Sequence, residues 1–542
     1  MYECSNCGGN LKFDIVSQQL ACAYCGTHVD PYSIKKDTDA IEQDYFEVTV
    51  FTCPQCAGEI LSTDNEAATF CSFCGASTIL SGRISKERRP KFIIPFKKTK
   101  EDCKQAYAKK MRRAFFVPKE LRSPKYIDGF RGIYMPYWTY QLVQNKDVSF
   151  NGSKSHREGD YIVTEHYQLK GDLDAYYLGY SYDASSSFYD NISEALAPYD
   201  AKELVNFTPA FLSGFYADTA DINENVYLED AIDLANRNTF DRICDEKTFR
   251  GYGINDSKNT SNLKTRLGTK CRSADNTMYP VWFLSYRNQD RIAYATVNGQ
   301  TGKVVADMPI DPVRYLLCAL LLSVPVFVLL NMFFTIRPPV LMGIAALLAI
   351  VSSIIYIFEL NAIGRRVNYE DDRAMTVIRN KKHRSQEEAV LRDAPLHEWQ
   401  KQEKKCKAKE KRKKKVGLSL STVIIWIAIA TSLGPSLLLL GAAFLWPLVF
   451  IAMVICCIVG FNKYKKAKDA KGFIGFILCT IAVAVSTLIK LFNPVSDLYY
   501  YAGAILTLLA VMFSFVDIIR NYNKLAMRRL PQFDKQGGDD RA

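Results

Sequence analysis

"CSNCGGNLKFDIVSQQLACAYCGT" runs from Cys4 to Thr27 and sets two Cys-x-x-Cys pairs on either side of fourteen residues. The layout returns as "CPQCAGEILSTDNEAATFCSFCGA", Cys53 to Ala76, with each cysteine forty-nine residues after its counterpart. Two facing Cys-x-x-Cys hairpins deliver four thiolates to one tetrahedral ion, which is the spacing of a structural zinc ribbon. The expected ligands are Cys4, Cys7, Cys22 and Cys25 for one Zn²⁺, and Cys53, Cys56, Cys71 and Cys74 for a second. Gly8, Gly26 and Gly75 directly follow three of the pairs, and Ala57-Gly58 follows the fourth. Glycine there lets the chain turn tightly while backbone N–H groups point at the sulfurs. Each ribbon is too short to bury a core, so the metal must supply the folding free energy, roughly 10–16 kcal/mol per structural zinc.

A disulfide framework would need an oxidising compartment, and Met1-Tyr2-Glu3 begins no signal peptide. Iron in a rubredoxin-like site is the alternative metal. Redox Cys-x-x-Cys chemistry fits less well, because paired pairs leave no free dithiol. His28, just past the first ribbon, reads as a bystander rather than a ligand.

Charge decides what the ribbons recognise. Residues 1–80 hold three Lys and no Arg against eleven acids, a net of −8. Phosphate backbones are bound by Lys and Arg that release counterions, so this surface repels nucleic acid and points to protein recognition. Residues 81–125 reverse the balance, with sixteen Lys or Arg against four acids. Within them "TKEDCKQAYAKKMRRAFF" reads as an amphipathic helix with Thr99 as N-cap and Asp102 three residues on. Cys103, Tyr107, Met111 and Phe115 mark its apolar face, and Val117-Pro118 ends it.

Six apolar stretches are long enough to cross about 30 Å of hydrocarbon. They are Tyr315–Ile336, Val340–Leu360, Val416–Leu433, Leu437–Phe461, Phe473–Phe492 and Leu498–Ile519. The connection 361–415 carries eighteen Lys or Arg, 462–472 carries five and the tail after Ile519 six, whereas 337–339, 434–436 and 493–497 carry one between them. The positive-inside rule then places both termini in the cytosol, a multi-pass protein of the plasma membrane. Thiolates survive in that reducing compartment, so topology and cysteine chemistry agree. Glu359, Lys490 and Asp517 sit near span ends, and no ionisable pair occupies a span centre, which argues against proton- or ion-coupled transport. The run "KKCKAKEKRKKK" is set to face anionic lipid through Lys404, Lys405, Lys407, Lys409, Lys411, Arg412, Lys413, Lys414 and Lys415.

Residues 126–312 read as an α+β domain. "YIVTEHYQLK" alternates like a strand, and "RIAYATVNGQTGKVV" reads as a hairpin turning at Asn298-Gly299 or Thr301-Gly302. "VYLEDAIDLANRNTFDRI" reads as a helix with Leu228, Ile232, Ala235 and Phe240 inward. "YMPYWTYQL" and "MYPVWFLSYR" share a Tyr, Pro, Trp and Tyr skeleton, as matching strands of one sheet or a divergent duplication. His156 and His166, with Glu158 and Glu165, read as surface residues of a hairpin rather than a metal site. The chain has no G-x-S-x-G, Walker loop or H-E-x-x-H, and no catalytic constellation is expected.

The order of ribbons, "FIIPFKKTKEDCKQAY", "GIYMPYWTYQL", "FTPAFLSGFYAD", "YPVWFLSYRNQDRIAYATVNGQTGKVV" and a membrane helix resembles bacterial, mostly Gram-positive, zinc-ribbon membrane proteins of the YdjG type. The resemblance covers about residues 1–336. It implies a phage-shock-like envelope-stress operon, with a flotillin-like (SPFH) protein and a PspA-type membrane-remodelling protein as partners. Only the eight ribbon cysteines carry over, as metal ligands. Four further spans and the basic loop depart from that pattern.

The expected fold is multidomain: zinc ribbons at 1–30 and 50–80, a basic helix plus α+β domain at 81–312, and a transmembrane hairpin at 313–361. A basic cytosolic loop at 362–415, four transmembrane helices at 416–520 and a cytosolic tail at 521–542 complete an all-α membrane domain of about six helices. The expected function is a non-enzymatic membrane scaffold that binds cytosolic proteins, anionic lipid and further copies of itself. The alternatives are a channel or transporter regulated by the ribbons, or a membrane-tethered nucleic-acid binder.

Overall fold

The two Tyr-Pro-Trp stretches form the spine of the molecule. In the computed structural model they lie in neighbouring antiparallel strands, with Pro136 opposite Met278 and Tyr134 opposite Pro280. A proline lacks the N–H that a central strand donates. Each still accepts a hydrogen bond, Pro136 from Ala184 N–H and Pro280 from Gly299 N–H, both at 2.9 Å. Tyr134, Tyr137, Tyr140, Tyr279 and Trp282 are all buried, which explains why both stretches are aromatic rather than alternating.

The structure describes residues 2–34, 45–62, 71–77, 81–254, 260–333, 337–367, 372–373, 375–376, 445–466 and 473–531. These fall into two compact units. The first holds the described residues up to Pro309, together with Asp372, Arg373 and 526–531; the second holds the remainder.

Sixteen strands build the first unit among the described residues. β1 (Leu11–Asp14), β2 (Gln19–Cys22) and β3 (His28–Val29) make a small antiparallel sheet. The other thirteen form one large sheet: β4 (Tyr45–Thr52), β5 (Glu59–Ser62), β6 (Ser81–Arg88), β7 (Phe92–Ile93), β8 (Arg131–Glu158), β9 (Tyr161–Asp183), β10 (Val205–Asn206), β11 (Tyr216–Ala217), β12 (Gly253–Ile254), β13 (Lys270–Asn288), β14 (Arg291–Asn298), β15 (Val304–Ala306) and β16 (Arg528–Arg529). Its main path runs β10-β7-β13-β8-β11-β5-β4-β6. β4 and β5, which flank the Cys53–Cys56 turn, are thus members of the large sheet. The expected strand at "YIVTEHYQLK" is the start of β9, which folds back on β8 as a long hairpin. The other expected hairpin turns at Thr301-Gly302, where Gly302 takes φ +79° and the Asn298 side chain accepts from the Gln300 and Thr301 amides at 2.9 Å.

Among the described residues, α1 (Lys100–Arg113), α2 (Pro124–Ile127), α3 (Asp190–Leu196), α4 (Leu228–Asp245) and α5 (Thr260–Leu267) accompany the sheet. α1 begins with the capping box read from Thr99 and Asp102, each side chain accepting the other residue's amide. Cys103, Tyr107 and Met111 are buried as expected, but Phe115 is not, being 74% exposed. The helix stops at Arg113, because Ala114 leaves helical geometry at φ −89°, ψ 80°, ahead of the Val117-Pro118 pair that disfavours continuation. α4 buries Ile232, Ala235 and Phe240, while Leu228 is only partly covered.

The second unit is helical: α6 (Pro312–Phe333), α7 (Pro338–Val367), α8 (Leu445–Lys466), α9 (Ile474–Phe492) and α10 (Asp497–Ala526). Four stretches among the described residues, Pro312–Leu329, Pro338–Arg366, Ile474–Phe492 and Asp497–Ala526, are long and apolar enough to cross a membrane. The described residues therefore show four such helices rather than six. The expected span Val416–Leu433 lies outside them, and that at Leu437–Phe461 is described only from Leu445, as α8. Small residues let α9 and α10 meet closely, as membrane helices require. A Cβ added at Gly475 would lie 2.6 Å from the Ser514 Cα, and the Ser486 and Thr507 hydroxyls are 3.1 Å apart. Asp517 of α10 accepts the N–H of Gly475, near the start of α9, at 3.0 Å.

Because one side chain satisfies the first turn of α1, Thr99→Ala should cost about 1 kcal/mol of stability. Hydrogen exchange should show it as faster exchange confined to the first turns of α1.

Candidate metal centres

In the first ribbon, β1 and β2 bring the knuckles Cys4–Cys7 and Cys22–Cys25 face to face. The Cys4 and Cys25 sulfurs are 3.5 Å apart, and those of Cys7 and Cys22 are 3.4 Å apart. All four lie within 4.8 Å of one another. Each knuckle is a tight turn: Gly8 N–H donates to Cys4 O at 2.8 Å and Gly26 N–H to Cys22 O at 3.0 Å. Gly8 and Gly26 pay no Cβ penalty at φ +71° and +70°. The Thr27 hydroxyl, 3.1 Å from the Cys25 sulfur, and the Thr27 amide draw that thiol down to about 6. Sequence reading passed over Thr27 and Gly9. A Cβ at Gly9 would sit 3.3 Å from both the Cys7 and Cys22 sulfurs and 2.6 Å from the Tyr24 ring. The Gly8-Gly9 doublet after Cys7 was the available signal.

The second centre repeats this geometry in a different setting. Cys53 and Cys74 sulfurs are 3.7 Å apart, as are those of Cys56 and Cys71. The same turn hydrogen bonds recur, Ala57 N–H to Cys53 O at 2.8 Å and Gly75 N–H to Cys71 O at 3.0 Å. Ala57 adopts φ +55° and Gly75 φ +70°. The break in the glycine pattern noted at Ala57 is therefore a non-glycine residue held in the left-handed region.

Burial separates the two. Cys53, Cys56, Cys71 and Cys74 are all buried, in a cluster with Phe51, Ile60 and Phe73. Phe73 O accepts the Tyr294 hydroxyl of β14 at 2.5 Å, and the Phe73 ring meets Phe283 of β13 edge-on. In the first ribbon only Cys4 and Cys22 are buried; Cys7 and Cys25 are exposed beside Tyr24, itself 83% exposed. That ribbon is anchored from behind. Ser213 O accepts Phe13 N–H at 3.0 Å, Leu11 O accepts the Ser213 hydroxyl at 2.6 Å, and Phe13 packs edge-on to Phe211. Each tetracysteine group can hold one metal ion.

The other candidates fall away or lie elsewhere. His28 is exposed, with Nδ1 3.3 Å from the Ser17 hydroxyl. His156 and His166 are exposed on the β8–β9 hairpin, opposite Val163 and Ser153, and join no metal-binding group among the described residues. The basic cluster Lys404–Lys415 lies outside the described residues.

One comparison matches. The chain is 31% identical over 315 residues to "Uncharacterized protein YdjG" of Bacillus subtilis (strain 168), an alignment that takes in 57% of this chain and 90% of that protein. No family model and no solved structure matches the chain.

The purified chain should carry two metal ions, and Cys53→Ser/Cys56→Ser should leave one while lowering stability by several kcal/mol, on the scale of structural-site binding. Metal analysis and urea unfolding read both. Ala57→Gly should not destabilise and should gain up to about 1 kcal/mol, because it relieves the left-handed alanine.

Proposed function

This chain belongs to the YdjG family, and we propose that it is a non-enzymatic membrane scaffold whose first ribbon recruits a protein partner while its second holds the sheet-rich unit together. The observation that carries this reading is the unequal burial of two equal centres. A metal whose four ligands are buried in a core contributes folding free energy. One whose knuckles and neighbouring Tyr24 face outward presents a rigid surface as well. The acidic balance of residues 1–80 suits a basic protein surface.

Zinc is the proposed metal at both sites. With Zn–S bonds of about 2.3 Å, a tetrahedron has S···S edges of about 3.8 Å. The distances between 3.4 and 3.7 Å sit close to that, with room for slight expansion. The family resemblance suggests SPFH and PspA-type proteins as partners in an envelope-stress setting. The Lys404–Lys415 cluster would add about 1 kcal/mol per charge near an anionic cytosolic leaflet.

The positive charge of the connections suggests both ends in the cytosol, which requires an even number of membrane crossings. The chain leaves the sheet-rich unit at Ile310, touches it again at Asp372 and Arg373, and returns at Ala526. α6 and α7 lie between the first two points, and α8, α9 and α10 between the last two. Three crossings cannot return a chain to its starting side. Either α8 does not cross, giving four spans, or residues 377–444 supply a partner, giving six. We favour six, because Val416–Leu433 has the required length and composition.

The recruiting surface is tested by purifying the wild type, Cys7→Ser/Cys25→Ser and Cys53→Ser/Cys56→Ser from native membranes and identifying what co-purifies. The first variant should keep one zinc and lose the soluble partner. Retention of the same partner by a variant with one zinc would move docking away from the first ribbon. For topology, a cysteine at Ser436 should react with membrane-impermeant maleimide added outside cells; reaction only after lysis would favour four spans.

A further inference from the structure

The β8–β9 hairpin leaves one very long strand at the edge of the sheet. β9 spans 23 residues and pairs only with β8 among the described residues. At about 3.3 Å per residue this is roughly 75 Å of strand, far beyond ordinary strand length. Its outer N–H and C=O groups form a template for another strand. The accessible run has a clear end. At Gly179 the register with β8 shifts and that residue is left unpaired, with Ala201 packed so closely that an added Cβ would lie 2.5 Å from its Cβ, so the regular edge ends there. Towards the tip the strand stays open, with Tyr161, Ile162, Tyr167, Tyr176 and Leu178 all exposed.

We propose that this edge pairs with the same edge of a second copy, antiparallel and two-fold symmetric about Gly171. Thr164 to Leu178 is then an open run centred on that glycine, each end opposite the other. The charges select the centre. With the axis at Gly171, Lys170 of each copy faces Asp172 of the other, twice. Asp174 faces Gln168 and Glu165 faces Tyr177, so no like charges meet. Moving the axis to 170 sets Lys170 against Lys170, and moving it to 172 sets Asp172 against Asp172. Like charges directly opposite destabilise a strand pair and opposite charges stabilise it.

The packed face also continues across the axis. Leu169 and Leu173 pack with Phe150, Phe240, Leu263 and Leu267 on the α4 and α5 side of the hairpin. In the proposed register Leu169 of one copy meets Leu173 of the other, which joins the two clusters. A lysine in mid-edge usually guards against pairing. Here Lys170 instead finds a partner in a second copy, which makes the edge selective for itself.

Gly171→Cys tests this directly in the full-length protein in native membranes. Residue 171 faces its own copy across the axis, within disulfide reach for an antiparallel pair. The added Cβ fits its own fold, since its nearest neighbour would be the Phe249 ring at 3.6 Å. Mild oxidation should give a cross-linked dimer on a non-reducing gel. The unmodified chain and Ser149→Cys, which lies opposite Lys170 on the inner strand β8, should not give it. Lys170→Asp and Asp172→Lys should each weaken self-association by about tenfold or more, and the double exchange should restore it. Two metal ions per chain in every variant serve as the folding control. A metal-loaded Gly171→Cys protein that cross-links no better than the controls would overturn the proposal. So would a double exchange that associates as poorly as the single ones.

Discussion

Four sulfurs held within 4.8 Å of one another inside a core are the constraint on which the sheet-rich unit rests. Cys53, Cys56, Cys71 and Cys74 are buried, the first two in the turn between β4 and β5 of the large sheet. Without a cation the cluster would bury either charge or unsatisfied thiols, both costly. With one, the turns at Ala57 and Gly75 become fixed points. From them Phe73 reaches Phe283 and Tyr294, and β5 pairs with β11 in register. A metal bound there would therefore act on the order of the sheet as well as on a local knuckle.

The first ribbon uses the same chemistry to another end. Its apolar side, through Leu11, Phe13 and Leu20, is buried in the main core, while two of its four sulfurs face outward. Duplication at a fixed offset has thus produced one centre that is mainly internal and one that is mainly surface. That division leaves one tetracysteine group facing outward on a membrane-linked chain and the other enclosed in a core. It also predicts that losing one ion or the other has different consequences.

Much of this was legible in the sequence, and the reasons differ by element. The cysteine spacing named both ligand sets, because four thiolates around one ion leave little freedom in chain length. Thr99 and Asp102 named the start of α1, because capping is local. The end of α1 was misplaced, since Phe115 continued the four-residue spacing while the chain at Ala114 had already left the helix. The similar stretches around Tyr134 and Tyr279 were legible as strands, but their adjacency was not, since pairing across more than a hundred residues leaves no local mark. The burial difference between the two centres was also hidden. Both have the same spacing, and the burial of one comes from tertiary neighbours, among them Phe51, Ile60 and the partners Phe73 finds on β13 and β14.

Zinc-edge X-ray absorption on the purified full-length protein addresses the central claim most directly. The account predicts two zinc ions per chain, each with four sulfur neighbours at about 2.3 Å and no nitrogen or oxygen in the coordination shell. A single zinc per chain, mixed sulfur and oxygen ligation, or oxidised cysteines with no bound metal would contradict it.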